Sequence, residues 1–259
     1  MQPDAHEAHG LTTPDYWDSE WNRISVGGVS RYHYFYGRNG IFLRTLRRHV
    51  PGLRGRSILE VGGARSRFLL ALAKYEDAKV TALDYSAVGI RQTHELFAEN
   101  GCEVEAVHAD FLAWDPGSAR YDLVVHWGVL EHFPDPAPML ARCAALLAEG
   151  GRVVFTMPNL ESFGARWWRR WSPENFSKHI LHTDARLDQA AEAAGLRVVS
   201  RFHWGPPLFR ITAWEQNGVP QFFLTSAQAA ALAVDGIVPC WHRGHRALSS
   251  HRGFVLARK

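Results

Sequence analysis

Ser57 to Lys74, with the sequence SILEVGGARSRFLLALAK, is the stretch that decides the fold of this chain. Residues 57–61 are a short apolar run that contains an acid, which is typical of a buried strand. Small residues dominate positions 62–66, and apolar side chains recur at helical spacing from Phe68 onward. The stretch therefore predicts a strand, a tight turn and a helix. In an open parallel sheet, this arrangement brings backbone N–H groups and a helix N-terminus to a ligand beyond the strand end.

The same rhythm of strands and helices continues on the C-terminal side. Short apolar runs predict further strands at residues 78–83, 103–107, 121–126, 152–157, 196–202 and 253–257. Helical patterns lie between most of them, so we expect an α/β fold whose mostly parallel sheet has helices on both faces. We expect an N-terminal helical cap over residues 1–56. A domain over residues 57–259 follows, with insertions at about 160–182 and 204–250.

Three local patterns predict how individual elements begin or end. Asp135 and the proline after it predict the start of a helix that continues to Ala148. Residues 160–182 show no clear hydrophobic period, which predicts an irregular segment. A capping-box pattern at Thr225 predicts the start of a short alanine-rich helix.

The composition is that of an ordinary globular protein. The chain has 259 residues, of which 46% are hydrophobic and 21% charged, so a sizeable core is expected. Its 29 basic and 26 acidic residues are scattered, which gives no electrostatic case for a nucleic-acid partner. The three cysteines lie far apart, and no apolar run has membrane-spanning length. We expect a cytoplasmic protein without stable membrane insertion, and the sequence indicates no particular oligomeric state.

The turn at residues 62–66 does not match the dinucleotide fingerprint. G-x-G-x-x-G requires glycines two and five places after Gly62, where this chain has Ala64 and Arg67. A pyrophosphate needs the close backbone approach that those glycines allow. A nicotinamide-dependent oxidoreductase is therefore the less favoured alternative.

The order of residues 60–66, EVGGARS, instead resembles the acid-x-Gly-x-Gly-x-Gly motif of class I S-adenosylmethionine-dependent methyltransferases. Ala64 and Ser66 take the places of the second and third glycines. The resemblance extends over residues 57–202 and implies a Rossmann-like, seven-stranded sheet with a reversed last strand. It also implies S-adenosylmethionine as cofactor and S-adenosylhomocysteine as product. A binder of this cofactor that does not catalyse transfer is a second alternative.

The resemblance assigns cofactor-binding roles to residues that follow the predicted strands. At the first turn these are Glu60, Gly62 and Gly63. Asp84 lies at the spacing where an acid accepts hydrogen bonds from two ribose hydroxyls. The residues that follow later strand ends are Tyr85 beside the adenine, Asp110 for its amino group, Phe111 over the ring, and the His126 backbone for the methionine end.

Two histidines are candidates for acid–base chemistry. His132 lies in a Leu-Glu-His segment after the fourth strand, where an imidazole could take a proton from a hydroxyl. A structural or cofactor-orienting role is the alternative for His132 and for Glu131 beside it. His179 is a candidate base or substrate contact, with a helix-cap role as the alternative. His179 and His182 are three residues apart, but the sequence has no acid or cysteine at ligand spacing there, so no metal site is predicted.

The aromatic residues are concentrated outside the central strands. Aromatic clusters are first a packing resource, and the mixed segment at residues 167–171 could also contact a substrate or a membrane surface. The predicted substrate-binding residues are Tyr16, Trp17, Tyr32, Tyr36, Trp127 and Trp167. These flanks favour a small, apolar or aromatic acceptor, such as a secondary metabolite or lipid-like precursor, and leave O-, N- and C-methylation open. The reaction would be an in-line transfer that depends mainly on alignment and exclusion of water.

Overall fold

The computed structural model describes residues 11–23, 37–50, 52–207, 221–237 and 246–259. The strands are β1 Ser57–Val61, β2 Lys79–Asp84, β3 Glu105–His108, β4 Tyr121–Trp127, β5 Leu147–Pro158, β6 Leu196–Trp204 and β7 His251–Arg258. The helices are α1 Pro14–Arg23, α2 Gly37–His49, α3 Arg67–Glu76, α4 Ala87–Glu99, α5 Ala137–Ala145, α6 Phe163–Trp171, α7 Pro173–Ser177, α8 Asp184–Ala193 and α9 Gln221–Ile237. A single 3₁₀ turn, Leu130–His132, follows β4.

Seven strands form one sheet in the order β3-β2-β1-β4-β5-β7-β6. The first five strands in this order are parallel neighbours, and β7 runs antiparallel to both β5 and β6. The predicted α/β class and the reversed last strand are confirmed. Because β1 and β4 are adjacent in the middle of the sheet, the turns that follow them meet at its carboxyl edge.

Each face of the sheet carries its own apolar core. Side chains of α2, α3 and α4 pack with one face, in a cluster that contains Phe42, Leu69 and Phe97. Side chains of α5 and α8 pack with the other face, in a cluster that contains Leu140 and Leu187. Burial on both faces explains why the central strands are almost continuously apolar.

Serine and threonine caps fix where several helices begin. The Ser66 hydroxyl accepts the Leu69 N–H at the start of α3, and the Ser86 hydroxyl accepts the Gly89 N–H at the start of α4. Thr183 caps α8 in the same way. Each cap satisfies an N–H that the first helical turn leaves without a partner. The helices that open toward the carboxyl edge therefore begin at defined residues.

The structure corrects three local predictions. Residues 160–182 are not irregular, because α6 and α7 form there and Ser162 caps α6 through the Ala165 N–H. The predicted helix to Ala148 ends at Ala145, and β5 begins at Leu147 with an irregular register before it pairs steadily with β4. Thr225 starts no helix, since it lies inside α9.

Within the described ranges, no helix combines the length and apolar character that crossing a membrane requires.

Phe155 offers a test of the core around β5. It is 1% exposed and stacks between His126 and Phe254, with ring centroids 4.9 and 5.0 Å away. Phe155→Ala should lower the free energy of unfolding by about 3–5 kcal/mol, because a cavity replaces the ring. Phe163→Ala is the control, since Phe163 is 46% exposed and should change it by less than about 0.5 kcal/mol. Chemical denaturation measures both, and equal losses would contradict the assigned packing.

Candidate cofactor and acceptor site

The turn after β1 contains two glycines with no room for a side chain. Gly62 has a φ of +69°, and a Cβ on it would lie 2.6 Å from Val129 Cγ2. A Cβ on Gly63 would lie 2.9 Å from the carbonyl oxygen of Glu60. A larger residue at either position would therefore displace the turn and the segment after β4 that packs on it.

Ala64 and Ser66, which take the places of two glycines of the family motif, fit the geometry of the turn. Neither Ala64 nor Ser66 has a positive φ; besides Gly62, the residue of this turn with a left-handed conformation is Arg65, at a φ of 53°. The Arg65 N–H donates to Thr93 Oγ1 at 2.8 Å, which anchors this conformation to α4. Alanine and serine are therefore compatible with the turn, and serine also supplies the cap of α3.

Asp84 joins two neighbouring turns at the end of β2. Its Oδ2 accepts the Ala64 N–H at 3.1 Å, and its Oδ1 accepts the Ser86 N–H at 2.9 Å. The side chain is almost fully buried, and this burial raises the pKa of Asp84 to about 6. Each carboxylate oxygen has a second lone pair, so the group can also accept hydrogen bonds from a ligand.

A cavity opens at the carboxyl edge of the sheet, beyond the ends of β1, β2 and β4. It holds about 920 Å³ of empty space when its open mouth is included. The predicted site residues in its wall are Trp17, Gly62, Asp84, Tyr85, Asp110, Phe111, Trp127 and His132. The structure thus brings residues from five separate segments of the chain into one wall.

The charge of this wall suits S-adenosylmethionine. Asp84 and Asp110 contribute carboxylates, and within the described ranges no lysine or arginine lines the cavity. S-adenosylmethionine has no phosphate, and its sulfonium and ammonium groups outnumber its one carboxylate, so a wall with acids and no cations is compatible with its net positive charge. The residues present therefore fit this cofactor.

Helix α1 and the residues before it cover the cavity. The Trp17 indole N–H donates to Thr12 Oγ1 at 3.1 Å, and Thr12 Oγ1 lies 3.1 Å from the Tyr85 hydroxyl. The Leu11 N–H donates to the carbonyl oxygen of His132 at 2.8 Å. These bonds hold the N-terminal segment against both the cofactor side and the acceptor side of the cavity.

Asp18 fastens α1 to the start of α4, a role that the sequence reasoning missed. Its Oδ1 accepts hydrogen bonds from the Ser86 hydroxyl and, at 3.2 Å, from the Val88 N–H. An acid at a helix N-terminus also interacts favourably with the helix dipole. No signal in the sequence distinguishes Asp18 from an ordinary solvated acid, because its partners are about 70 residues away.

Three predicted cofactor residues stand behind the wall. Gly63 shapes the turn as described, and Glu60 accepts a hydrogen bond from the Ser66 hydroxyl at 2.7 Å. Burial raises the pKa of Glu60 to about 8. His126 is fully buried against Phe155, and burial lowers its pKa to about 3, so the imidazole is neutral. Glu60, Gly63 and His126 therefore support the residues of the wall and do not line the cavity themselves.

His132 and His179 lie next to each other, with ring centroids 4.8 Å apart, and His132 lies in the cavity wall whereas His179 does not. The Nδ1 of His132 is 2.8 Å from the Lys178 carbonyl oxygen, and the Nδ1 of His179 is 2.9 Å from that of Asn175. Burial lowers the pKa of His132 to about 4 and that of His179 to about 3, so both are neutral. The Trp17 ring meets His132 edge-on at 5.8 Å.

Glu131 belongs to the same cluster, which the sequence reasoning did not anticipate. One potential ligand atom from each of Glu131, His132 and His179 lies within 4.8 Å of the others. Burial raises the pKa of the Glu131 carboxyl to about 8. His182 is not part of the group; its Nε2 lies 3.3 Å from the carbonyl oxygen of Leu130.

Of the remaining predicted substrate residues, Tyr16 and Trp167 do not line the cavity. Tyr16 packs edge-on behind Trp17 at 5.3 Å. Trp167 is 41% exposed on α6 and does not line the cavity, whereas its neighbour Trp168 is buried and contacts the His179 ring at 4.5 Å. Tyr32 and Tyr36 lie outside the described residues.

Comparison with protein families matches residues 34–201 to a methyltransferase domain. The chain belongs to the class I S-adenosylmethionine-dependent methyltransferases, and its cofactor is S-adenosylmethionine. The predicted family and cofactor are confirmed.

Curated relatives include ubiquinone biosynthesis O-methyltransferases from two bacterial genera. The protein from Burkholderia pseudomallei is 36% identical over 164 residues, which cover 58% of this chain and 67% of that protein. The protein from Erwinia tasmaniensis is 32% identical over 130 residues, which cover 48% of this chain and 51% of that protein. The matched stretch thus spans between about half and two thirds of these relatives.

Solved structures resemble this fold over most of its length. Magnesium protoporphyrin IX methyltransferase from Synechocystis, with bound S-adenosylhomocysteine, has a TM-score of 0.60 and 15% identity, covering 95% of this chain and 97% of that chain. The [4+2]-cyclase SpnF has a TM-score of 0.55 and 17% identity, covering 85% of this chain and 80% of that chain. These likenesses show the fold alone, since one architecture serves different reactions.

The buried carboxyl of Asp84 predicts how cofactor binding depends on pH. With a pKa of about 6, Asp84 is ionised above pH 6 and can then accept the hydrogen bonds from ribose hydroxyls that the family resemblance implies for it. Below pH 6 it becomes protonated, so the affinity for S-adenosylhomocysteine should fall by up to about tenfold per pH unit.

Calorimetric titration of the wild type and of Asp84→Asn over this range tests the assignment. The variant should bind several-fold more weakly at pH 7.5 and lose the decline between pH 6 and 5. Glu192→Gln, at an exposed carboxyl far along α8, is the control that should match the wild type. An unchanged affinity in the asparagine variant would refute the role of Asp84.

Proposed function

We propose that this enzyme transfers a methyl group from S-adenosylmethionine to a hydroxyl oxygen of a small aromatic molecule. The observation that carries the proposal is the part of the cavity wall where the Trp17 indole borders the neutral imidazole of His132, with the neutral His179 ring packed next to His132. Aromatic rings pack favourably against such walls, and imidazole lone pairs suit a hydroxyl that must lose its proton. The O-methyltransferase names of the relatives support an oxygen acceptor in the biosynthesis of a quinone.

The cofactor end of the cavity would hold S-adenosylmethionine as the family resemblance implies. Asp84 would accept the ribose hydroxyls, Asp110 the adenine amino group, and Phe111 would cover the ring, with Tyr85 beside it. The Asp110 carboxylate already accepts the Leu112 N–H at 2.9 Å, which fixes its position in the wall. Once bound, the cofactor supplies a strongly electrophilic methyl group on its sulfonium.

The contribution of the protein to transfer is then mainly alignment and exclusion of water. Trp17 closes the cavity from the α1 side, and its hydrogen bond to Thr12 fixes the orientation of the ring. Because the Nδ1–H of His132 donates to a backbone carbonyl, its Nε2 carries the lone pair that the acceptor hydroxyl would meet. Holding the reacting atoms in line can account for a large part of the rate enhancement.

The wall argues against the dinucleotide alternative. A nicotinamide dinucleotide brings a pyrophosphate, which is normally bound by glycine-rich backbone or by cations. The wall offers two carboxylates instead, and the fingerprint glycines are missing.

Incubation with methyl-labelled S-adenosylmethionine and a panel of phenols, catechols, amines and carbon nucleophiles tests the proposal. We expect label in an O-methyl product of a phenol or catechol, with one S-adenosylhomocysteine formed per product. Labelled products from amines or carbon acceptors alone would contradict the oxygen acceptor. Tight cofactor binding without transfer to any acceptor in the panel or in a cell extract would favour the non-catalytic alternative.

Trp17 and Trp167 form a matched pair for locating the acceptor. Trp17→Ala removes an indole from the cavity wall and should raise the KM for the acceptor by about tenfold or more, because the lost contact is worth about 1.4 kcal/mol or more. Trp167→Ala removes an equal ring from the surface of α6 and should leave KM within about twofold. Steady-state kinetics at saturating cofactor measures both. A raised KM in Trp167→Ala with an unchanged KM in Trp17→Ala would indicate instead that the acceptor binds at α6.

A further inference from the structure

Glu131, His132 and His179 offer two imidazole nitrogens and one carboxylate oxygen beside the cavity, and of the three His132 lies in its wall. The potential ligand atoms all lie within 4.8 Å of one another. Three ligand atoms that are each 4.8 Å from the other two would lie about 2.8 Å from an ion at their centre. Each atom would therefore move by less than about 1 Å to reach the usual zinc–nitrogen distance of ~2.0–2.1 Å.

The two imidazoles are already oriented as metal-binding histidines usually are. Each is fixed by a hydrogen bond from Nδ1 to a backbone carbonyl, of Lys178 for His132 and of Asn175 for His179. This arrangement sets the tautomer and directs the lone pair of Nε2 to a ligand. The Ile180 N–H also donates to the Glu131 carbonyl oxygen at 2.8 Å, which locks the segment of His179 to the 3₁₀ turn.

The Glu131 carboxylate needs a partner that the described residues do not supply. Its Oε2 is buried and makes no hydrogen bond within the described ranges. Its Oε1 lies 3.2 Å from where a Cβ on Gly128 would be, and Gly128 lines the cavity. Arg252 is near enough for its charge to lower the pKa of Glu131, but it donates its hydrogen bonds to Asp184 at 3.1 Å and to the carbonyl oxygen of His182. A buried carboxylate oxygen without a partner is costly, and a cation would satisfy it.

We propose that Glu131, His132 and His179 bind a divalent transition-metal ion, with zinc as the first choice and manganese, iron or cobalt as chemically related occupants. Two histidines and one carboxylate are an established ligand set for such ions and leave coordination positions open. Magnesium and calcium are excluded by the same donors, because these ions prefer oxygen ligands.

The ion would act on the acceptor oxygen, a consequence that rests on the proposed function. A phenol would bind the open position as a phenolate and release its proton to solvent, as metal-bound water does near neutral pH. The phenolate oxygen then forms the bond to the methyl carbon while the carbon–sulfur bond breaks and its electron pair stays on sulfur. In this arrangement the two histidines act on the hydroxyl through the ion.

The test measures metal binding directly on the full chain, stripped with a chelator and dialysed. Zinc is titrated in competition with a chromogenic chelator, and cobalt by its visible absorption. We expect one equivalent bound with a Kd of ~1 µM or tighter. Glu131→Gln and His179→Asn should each weaken binding by at least ~10-fold, whereas His94→Ala, at an exposed histidine on α4, should bind like the wild type.

Several results would overturn the metal site. The first is that the wild type takes up no stoichiometric metal. The second is that either ligand variant binds metal with the affinity of the wild type, while circular dichroism and cofactor binding show that the variant is folded. A ligand variant that fails to fold is replaced by Glu131→Asp or His179→Gln, to which the same expectation applies. Binding without methyl transfer would contradict the proposed function and leave the site standing. Full methyl transfer by a stripped enzyme that takes up no metal would overturn the metal site and leave the proposed function standing.

Discussion

The carboxylate of Asp84 is the constraint on which the rest of the site depends. It accepts one backbone N–H from the turn after β1 and another from the turn after β2, and so holds two strand ends in a fixed relation. The Ser86 turn then receives Asp18 of α1, which brings the N-terminal segment over the cavity. A buried carboxylate is costly unless its hydrogen bonds are made, so the same bonds that position Asp84 also tie the turns together.

The two ends of the cavity are built in different ways. The cofactor end consists of residues that directly follow parallel strands, so the sheet itself places them. The proposed acceptor end is formed by α1 and the 3₁₀ turn after β4, with the segment around His179 packed next to His132. Backbone hydrogen bonds from Leu11 to His132 and from Ile180 to Glu131 join these pieces. A fold built in this way can keep one cofactor while its acceptor end varies, as functional sites on shared folds commonly do.

Helix α6 illustrates where prediction from sequence stops. The sequence indicates a mixture of tryptophan and arginine at residues 167–171 but not which ring faces inward. On a helix, neighbouring side chains point about 100° apart, so Trp168 reaches His179 while Trp167 remains on the surface. The face that turns inward is decided by packing on the rest of the molecule, and the same holds for the boundaries of α5 and β5.

The sequence alone determined the α/β class, the reversed last strand through family resemblance, and the methyltransferase family with its cofactor. It could do so because β1, the turn at residues 62–66 and the acids after successive strands are local patterns in a fixed order, which a parallel sheet converts into proximity. Only the tertiary structure joined Glu131, His132 and His179, and only it placed Asp18 and Thr12 against the cofactor end. Those contacts link residues about 45 to 75 positions apart, and no local period in the chain encodes such distances.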